Sequence, residues 1–156
     1  MLLATGFLLV WTDSPAVLAR VYLTQDEALK GAFPSPARAE RKTLFLDEAQ
    51  AGAIEKEAGS KLGSRVFSYY VGRGADGLLG YAYFDTHLVR TLPETIMVLL
   101  GPDGKIKRVE VLSFSEDLAL HRGIRNLTGA SLTAEAITAA CRRILALHRR
   151  VGGGKE

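Results

Sequence analysis

A change of hydrophobic period at residue 64 constrains this chain more than any other feature. From there to residue 114, apolar and polar residues alternate in short runs separated by turn residues, which is the pattern of half-buried strands. The predicted strands are residues 66–71, 78–85, 95–100 and 106–114. The turn sequence Gly101-Pro-Asp-Gly104 separates the last two. The run predicts an antiparallel meander of about four strands.

Helical patterns flank this predicted meander on both sides. Before it, Thr24 caps a predicted helix over residues 24–33, and a short strand follows at residues 42–46. Asp47 and Gln50 then form a capping box for a second helix, which stops at residues 59–63. After a polar, irregular linker at residues 113–127, an apolar stripe of helical period covers residues 136–148. The order predicts an α+β fold with two N-terminal helices and one C-terminal helix.

The length of 156 residues and the 47% hydrophobic content favour one compact domain, predicted at residues 20–150. Residues 1–11 are almost wholly apolar, and a small-residue stretch ends at Ala19. We expect residues 1–19 to be a secretory signal cleaved after Ala19. A buried N-terminal helix or strand is the alternative. The glycine-rich residues 151–156 predict a flexible tail.

Several function classes are disfavoured by the residues. The net charge is only +3, and no basic face interleaved with aromatic residues is visible, so no nucleic-acid partner is predicted. The three histidines lie far apart without metal-ligand spacing, which predicts no metal site. The Gly72-Arg-Gly-Ala-Asp-Gly77 stretch matches a dinucleotide fingerprint, but a strand pattern follows it, so we predict a hairpin loop. Cys141 is the only cysteine and lies on the apolar stripe, where we expect a buried thiol.

Small and hydroxyl-bearing residues open the last predicted helix. They are Thr128, Gly129, Ala130, Ser131, Leu132 and Thr133. A helix start attracts anions, because its first N–H groups are unpaired and the helix dipole is positive there. Gly129 and Ala130 leave space for a phosphate, and the hydroxyls can bind its oxygens or form an ester with it. On composition alone, ordinary helix capping explains the same residues.

The segment resembles the flavinylation motif of the FMN-binding domain family. Members include the G subunit of the Rnf electron-transport complex and the C subunit of the sodium-pumping NADH:quinone reductase. The family pattern is Asp-x-x-Ser/Thr-Gly-Ala-Thr, followed by one residue and a hydroxyl. Here Thr128, Gly129, Ala130 and Thr133 match, and residues 80–95 are similar to the sheet segments of some bacterial members.

The resemblance implies an exported FMN-binding electron-transfer protein at the outer face of the cytoplasmic membrane or in the periplasm. It implies partners among membrane redox-complex subunits, and a flavin transferase that joins the FMN phosphate to Ser131, which stands at the acceptor position. It implies a redox subunit and not a stand-alone enzyme. Tyr81, Tyr83 and Phe84 are expected to contact the flavin ring.

Two departures from the family pattern leave a second function open. Ser131 replaces the acceptor threonine, and Arg125 stands where the family has aspartate. The alternative is a flavin-less member that acts as an interaction subunit of an envelope redox complex.

A third function comes from residues outside the motif. Asp85, His87 and Arg90 lie at a predicted strand end and in the loop after it. They form either an ion-paired turn or the acid–base group of an unrelated exported hydrolase or ligand-binding domain.

Overall fold

A computed structural model describes residues 17–117 and 127–152. It confirms the α+β class: a six-stranded antiparallel sheet packs with three helices. The elements in chain order are β1 (Val17–Val21), α1 (Gln25–Ala32), β2 (Arg38–Phe45), α2 (Glu48–Ala58), β3 (Val66–Gly74), β4 (Gly77–Val89), β5 (Leu92–Leu100), β6 (Ile106–Asp117) and α3 (Leu127–Gly152).

The predicted meander forms strands β3 to β6, and two further strands extend it. The sheet order is β1-β6-β5-β4-β3-β2. β2 begins four residues before the predicted short strand and pairs with β3 from Arg38↔Arg73 to Phe45↔Val66. β1 pairs with β6 at the other edge, from Val17↔Asp117 to Val21↔Ser113. The sheet therefore has six strands, more than the predicted meander of about four. The two edge strands are not part of the meander, because α2 separates β2 from β3 and most of the chain separates β1 from β6.

The end of the predicted signal segment and the start of the predicted linker both lie in strands. Residues 17–19 form the first part of β1, while residues 1–16 and the tail from residue 153 lie outside the described residues. Residues 113–117, predicted as irregular linker, are instead the end of β6, since β1 supplies their hydrogen-bond partners. Residues 113 and 114 also belong to the predicted strand 106–114, so the linker prediction is wrong for residues 115–117, and residues 118–126 lie outside the description.

Both predicted N-terminal caps are confirmed. Thr24 caps α1 in a capping box with Glu27. Asp47 caps α2: its Oδ1 accepts from the Gln50 backbone N–H at 2.7 Å, and the Gln50 side chain accepts from the Asp47 N–H at 3.0 Å. α2 ends at Gly59, whose φ of 67° is left-handed and suits a residue without a side chain.

Helices cover both faces of the sheet. α2 and α3 pack together on one face, where Ile54 of α2 shares a buried cluster with Ala146 and Leu147 of α3. On the same face, Ile144 of α3 packs against strand residues that include Tyr83 of β4. The opposite face is covered by α1 and the residues after it, in a cluster that contains Ala28, Phe33 and Met97. Alternate residues of β4 therefore reach two different cores.

The predicted hairpin loop is confirmed, because β3 ends at Gly74 and β4 begins at Gly77. Three residues further on, Gly80 has a φ of 148°, and a Cβ built on it would lie 2.2 Å from the carbonyl oxygen of Leu100. The neighbouring strand β5 thus approaches the β4 backbone where only glycine fits.

We expect Gly80→Ala to lower the free energy of unfolding by about 1–3 kcal/mol, because the new methyl group meets backbone and the φ angle becomes strained. The matched control is Gly52→Ala in α2, where a Cβ meets nothing within 4 Å. Alanine there should raise the free energy of unfolding by about 0.5–1 kcal/mol. Urea denaturation followed by circular dichroism measures both changes, and equal stability of the two variants would contradict the assignment.

Candidate functional site

The six predicted site residues all lie in the first two turns of α3, which begins at Leu127. Side chains are described from Leu132 on, and Leu132 and Thr133 are both half-buried. The first turn of α3 contains no acidic residue, whereas α1 has Asp26 and Glu27 there and α2 has Glu48. Side-chain carboxylates in the first turn thus offset the positive helix end in α1 and α2 but not in α3.

The direction of α3 follows from two contacts with β4. The His148 ring lies 4.6 Å from the Tyr81 ring, and Arg143 Nη2 lies 3.1 Å from Asp85 Oδ2. The helix therefore runs opposite to β4, and its start points toward the end of the sheet at which β4 turns into β5. At 1.5 Å per residue, Ser131 lies about 18 Å along the axis from Arg143.

A chain of charged side chains links α3 to β4 and β5. The His87 ring lies between two carboxylates: Nδ1 is 2.9 Å from Asp85 Oδ2, and Nε2 is 3.0 Å from Glu94 Oε2. Arg143 donates to the same Asp85 oxygen, and its side chain is only 15% exposed. Since carboxylates only accept hydrogen bonds, both ring nitrogens donate when the imidazole is protonated.

The electrostatics of this chain favour its charged form. The hydrogen bond to Asp85 raises the pKa of His87 above its ordinary value, against the opposing effect of burial, and Glu94 adds to the rise. Burial alone would raise the pKa of Asp85. The hydrogen bond from His87 and the charge of Arg143 outweigh it, so the Asp85 pKa lies below its usual value.

Two of these four charged residues were predicted from sequence to act together. They are Asp85 and His87, and the structure places them in hydrogen-bond contact. The guanidinium was assigned to Arg90, which the structure places in the turn after β4 with a φ of 60°. The guanidinium that meets Asp85 belongs to Arg143 of α3. The one sign of this role in the sequence is that Arg143 directly precedes Ile144, a residue of the apolar stripe that packs on the sheet.

The three aromatic residues expected near a flavin ring divide between the two faces of the sheet. Tyr83 is 4% exposed, stacks on Tyr69 at 5.4 Å, and its hydroxyl lies 2.9 Å from Nδ1 of His148. Burial raises the pKa of Tyr83 and lowers that of His148, so both groups are neutral in this contact. Tyr83 is therefore a core residue. Phe84 points to the α1 face, where its ring meets Tyr70 edge-on at 5.8 Å.

Three further observations concern the thiol, metal binding and membrane crossing. The Cys141 thiol is half-buried beside the core of α3, and burial raises its pKa, which lowers its reactivity. Within residues 17–117 and 127–152, no group of His, Cys, Asp and Glu side chains is arranged to hold a metal ion. None of the helices in this described part has the length and apolar character that a membrane crossing requires.

No protein-family model, curated protein or solved structure gives a significant match to this chain. The resemblance to the FMN-binding domain family therefore depends on the helix-start motif and on the sheet segment at residues 80–95.

We expect His87→Gln to lower the free energy of unfolding more at about pH 5.5 than at about pH 9. The folded-state pKa of His87 is raised from 6.5, so its contribution is fully present below that value and is lost as pH rises through the folded pKa. Urea denaturation of both proteins at the two pH values measures the difference. His148 titrates with the opposite sign but is present in both, so it cancels. A difference that does not change with pH would contradict the bridging role.

Proposed function

We propose that this protein is an extracytoplasmic FMN-binding electron-transfer subunit that holds the FMN phosphate at the start of α3. The observation that supports this most is the position of the motif. All six residues occupy the first two turns of a helix whose first turn has no carboxylate of its own. A phosphate suits that location, because its negative charge meets the positive helix end and the unpaired backbone N–H groups.

The residues present fit a phosphate group chemically. Gly129 and Ala130 add little bulk beside the backbone, and Thr128, Ser131 and Thr133 supply hydroxyls. Thr133 is half-buried, so it is not sealed in the core. The helix end stabilises a phosphate by only about 0.3–1 kcal/mol when exposed and up to about 2 kcal/mol when partly buried. Retention of the cofactor therefore requires a covalent bond or burial of its ring.

Ser131 is the proposed attachment point. A flavin transferase would join the Ser131 Oγ to the phosphorus of an activated FMN donor. The P–O bond to the leaving group of that donor breaks, and the hydroxyl proton leaves with it, so the protein gains FMN less one water. When bound, FMN supplies one- and two-electron transfer, and the protein contributes position and electrostatics. The proposed partners are redox subunits of a membrane complex, at the outer face of the cytoplasmic membrane or in the periplasm.

The geometry of His87 argues against the hydrolase alternative. A general base needs a free ring nitrogen that can take a proton from a nucleophile. Both nitrogens of His87 are engaged by buried or half-buried carboxylates, and Arg143 is held by Asp85. These side chains serve to join α3 to the sheet.

The flavin-less alternative is favoured by the departures at Ser131 and Arg125. A serine acceptor has the required hydroxyl but lacks the threonine methyl group, and Arg125 reverses the charge of the aspartate in the family pattern. The flavin-less protein would use the same fold as an interaction subunit. Absorbance of the purified protein in the flavin bands separates the two functions.

We expect the protein to gain the mass of FMN less one water when it is produced with a flavin transferase, and Ser131→Ala to abolish the gain. The reason is that alanine removes the oxygen that forms the phosphoester. Intact-mass spectrometry and in-gel flavin fluorescence after denaturation measure the attachment.

Thr133→Ala is the matched control, since it removes the next hydroxyl along the helix and should leave the attachment intact. Persistent modification of Ser131→Ala would move the attachment to Thr133 or Thr128. A colourless, unmodified wild-type protein in the presence of transferase and excess FMN would overturn the proposal.

A further inference from the structure

The sheet is split at one end between β3 and β4. The two strands are paired from the hairpin, Gly74↔Gly77, only as far as Tyr69↔Tyr83. Beyond that point residues 66–68 of β3 stay paired with β2, and residues 84–89 of β4 stay paired with β5. Two adjacent strands thus end their common ladder while each continues in the sheet. We call the space between them the β3–β4 cleft.

Each side of the cleft is held by a different helix. Phe67 and Leu44 pack on the α2 cluster around Ile54, which holds the β2–β3 end. On the other side, Asp85 is tied to Arg143 of α3, and His87 to Glu94 of β5. Since both sides have their own anchors, the separation is built into the fold.

A cavity of about 710 Å³ occupies the cleft. Its lining includes every residue from Tyr83 to His87, although successive residues of a strand point to opposite faces of the sheet. The cavity therefore runs along the edge of β4, where backbone groups that no longer pair with β3 are available. The volume lies within the range of about 300–1,000 Å³ that is common for small-molecule sites.

The lining combines apolar walls with guanidinium groups. Phe67, Phe84 and Leu147 provide the apolar surface. Arg41 donates to the Ser68 hydroxyl at 2.9 Å, and Arg143 donates to Asp85 at 3.1 Å. A guanidinium has five N–H donors, so each retains donors for an anion beyond these contacts. Lys61 is paired with Glu55 and Arg143 with Asp85, whereas Arg41 contacts the neutral Ser68 hydroxyl. Arg41 therefore gives the lining its excess positive charge, which favours a negatively charged ligand.

We propose that the β3–β4 cleft is a binding site for a small, planar aromatic anion. A flat ring fits between two strand edges, where in-plane donors and acceptors of the backbone meet ring substituents, and an acidic group of the ligand pairs with Arg41 or Arg143. The site is separate from the helix-start motif, because Ser131 lies about 18 Å along α3 from Arg143. Binding does not depend on flavin attachment.

Anilinonaphthalene sulfonate, an aromatic anion with a flat naphthalene ring, is the probe that tests this site. We expect saturable binding at one site in a fluorescence titration of the full chain. Ser68→Phe should abolish it, because the new ring fills the cleft. Arg41→Gln should weaken it by about threefold to tenfold, the loss expected for an exposed charge-assisted hydrogen bond. Arg41→Gln is the second variant should Ser68→Phe fail to fold, as judged by thermal unfolding.

Two controls separate this site from other sources of fluorescence. Leu88→Ser removes an exposed apolar side chain (64% exposed) outside the cleft and should leave the titration unchanged. Ser131→Ala should also leave it unchanged, which distinguishes this site from the flavin proposal. Binding that does not saturate, that persists in both cleft variants, or that is lost in Leu88→Ser would overturn the cleft as a site.

Discussion

Four charged side chains in a row, Arg143, Asp85, His87 and Glu94, hold the last helix on the sheet. Glu94 is 2% exposed, and an unpaired carboxylate at such a position would carry a large desolvation cost. His87 removes that cost, and Asp85 shares its oxygen between His87 and Arg143. Removal of His87 leaves Glu94 without its imidazole partner, and removal of Asp85 leaves Arg143 without its carboxylate, so the outer groups depend on the two inner ones. The position of α3 along β4, and hence of the motif at its start, depends on this chain.

Apolar burial and polar contacts have different roles in this interface. Ile144 and Ala140 pack on Ile96 and Val98, and area burial of this kind contributes about 25 cal/mol per Å² without a directional preference. The polar contacts determine how α3 is oriented on the sheet. Arg143 reaches Asp85, and five residues further on His148 reaches the Tyr83 hydroxyl. Two directional contacts at different points along the helix axis determine both the rotation of α3 about that axis and its position along β4.

Local features of the chain were predictable from sequence, and long-range ones were not. The caps at Thr24 and Asp47 and the hairpin at residues 74–77 each depend on residues within a few positions of one another, and the structure confirms them. The pairing of β1 with β6 joins residues almost a hundred positions apart, so no short sequence pattern predicts it.

The candidate site divides in the same way. The placement of the motif at a helix start follows from periodicity. Asp85 and His87 were grouped because they are close in sequence, but His87 was expected in the loop after the strand, whereas it lies within β4. The guanidinium that pairs with Asp85, however, belongs to Arg143 of α3 and not to Arg90 of the adjacent turn. The packing of α3 on the sheet places Arg143 there, and this packing is not visible in the local sequence. The β3–β4 cleft was also unpredictable, since both strands keep a regular pattern through the point where they separate.

β1 overlaps the end of the predicted signal segment. Its first residues, 17–19, pair with Asp117, Glu116 and Ser115 of β6, and the predicted cleavage point lies directly after them. Processing there would leave only Arg20 and Val21 against Phe114 and Ser113. The outer end of β6 would then become an open edge with unpaired backbone groups, which is a template for strand addition by another chain. Residues 17–19 cover that end of β6, so cleavage at the predicted point would expose backbone groups that the uncleaved chain pairs.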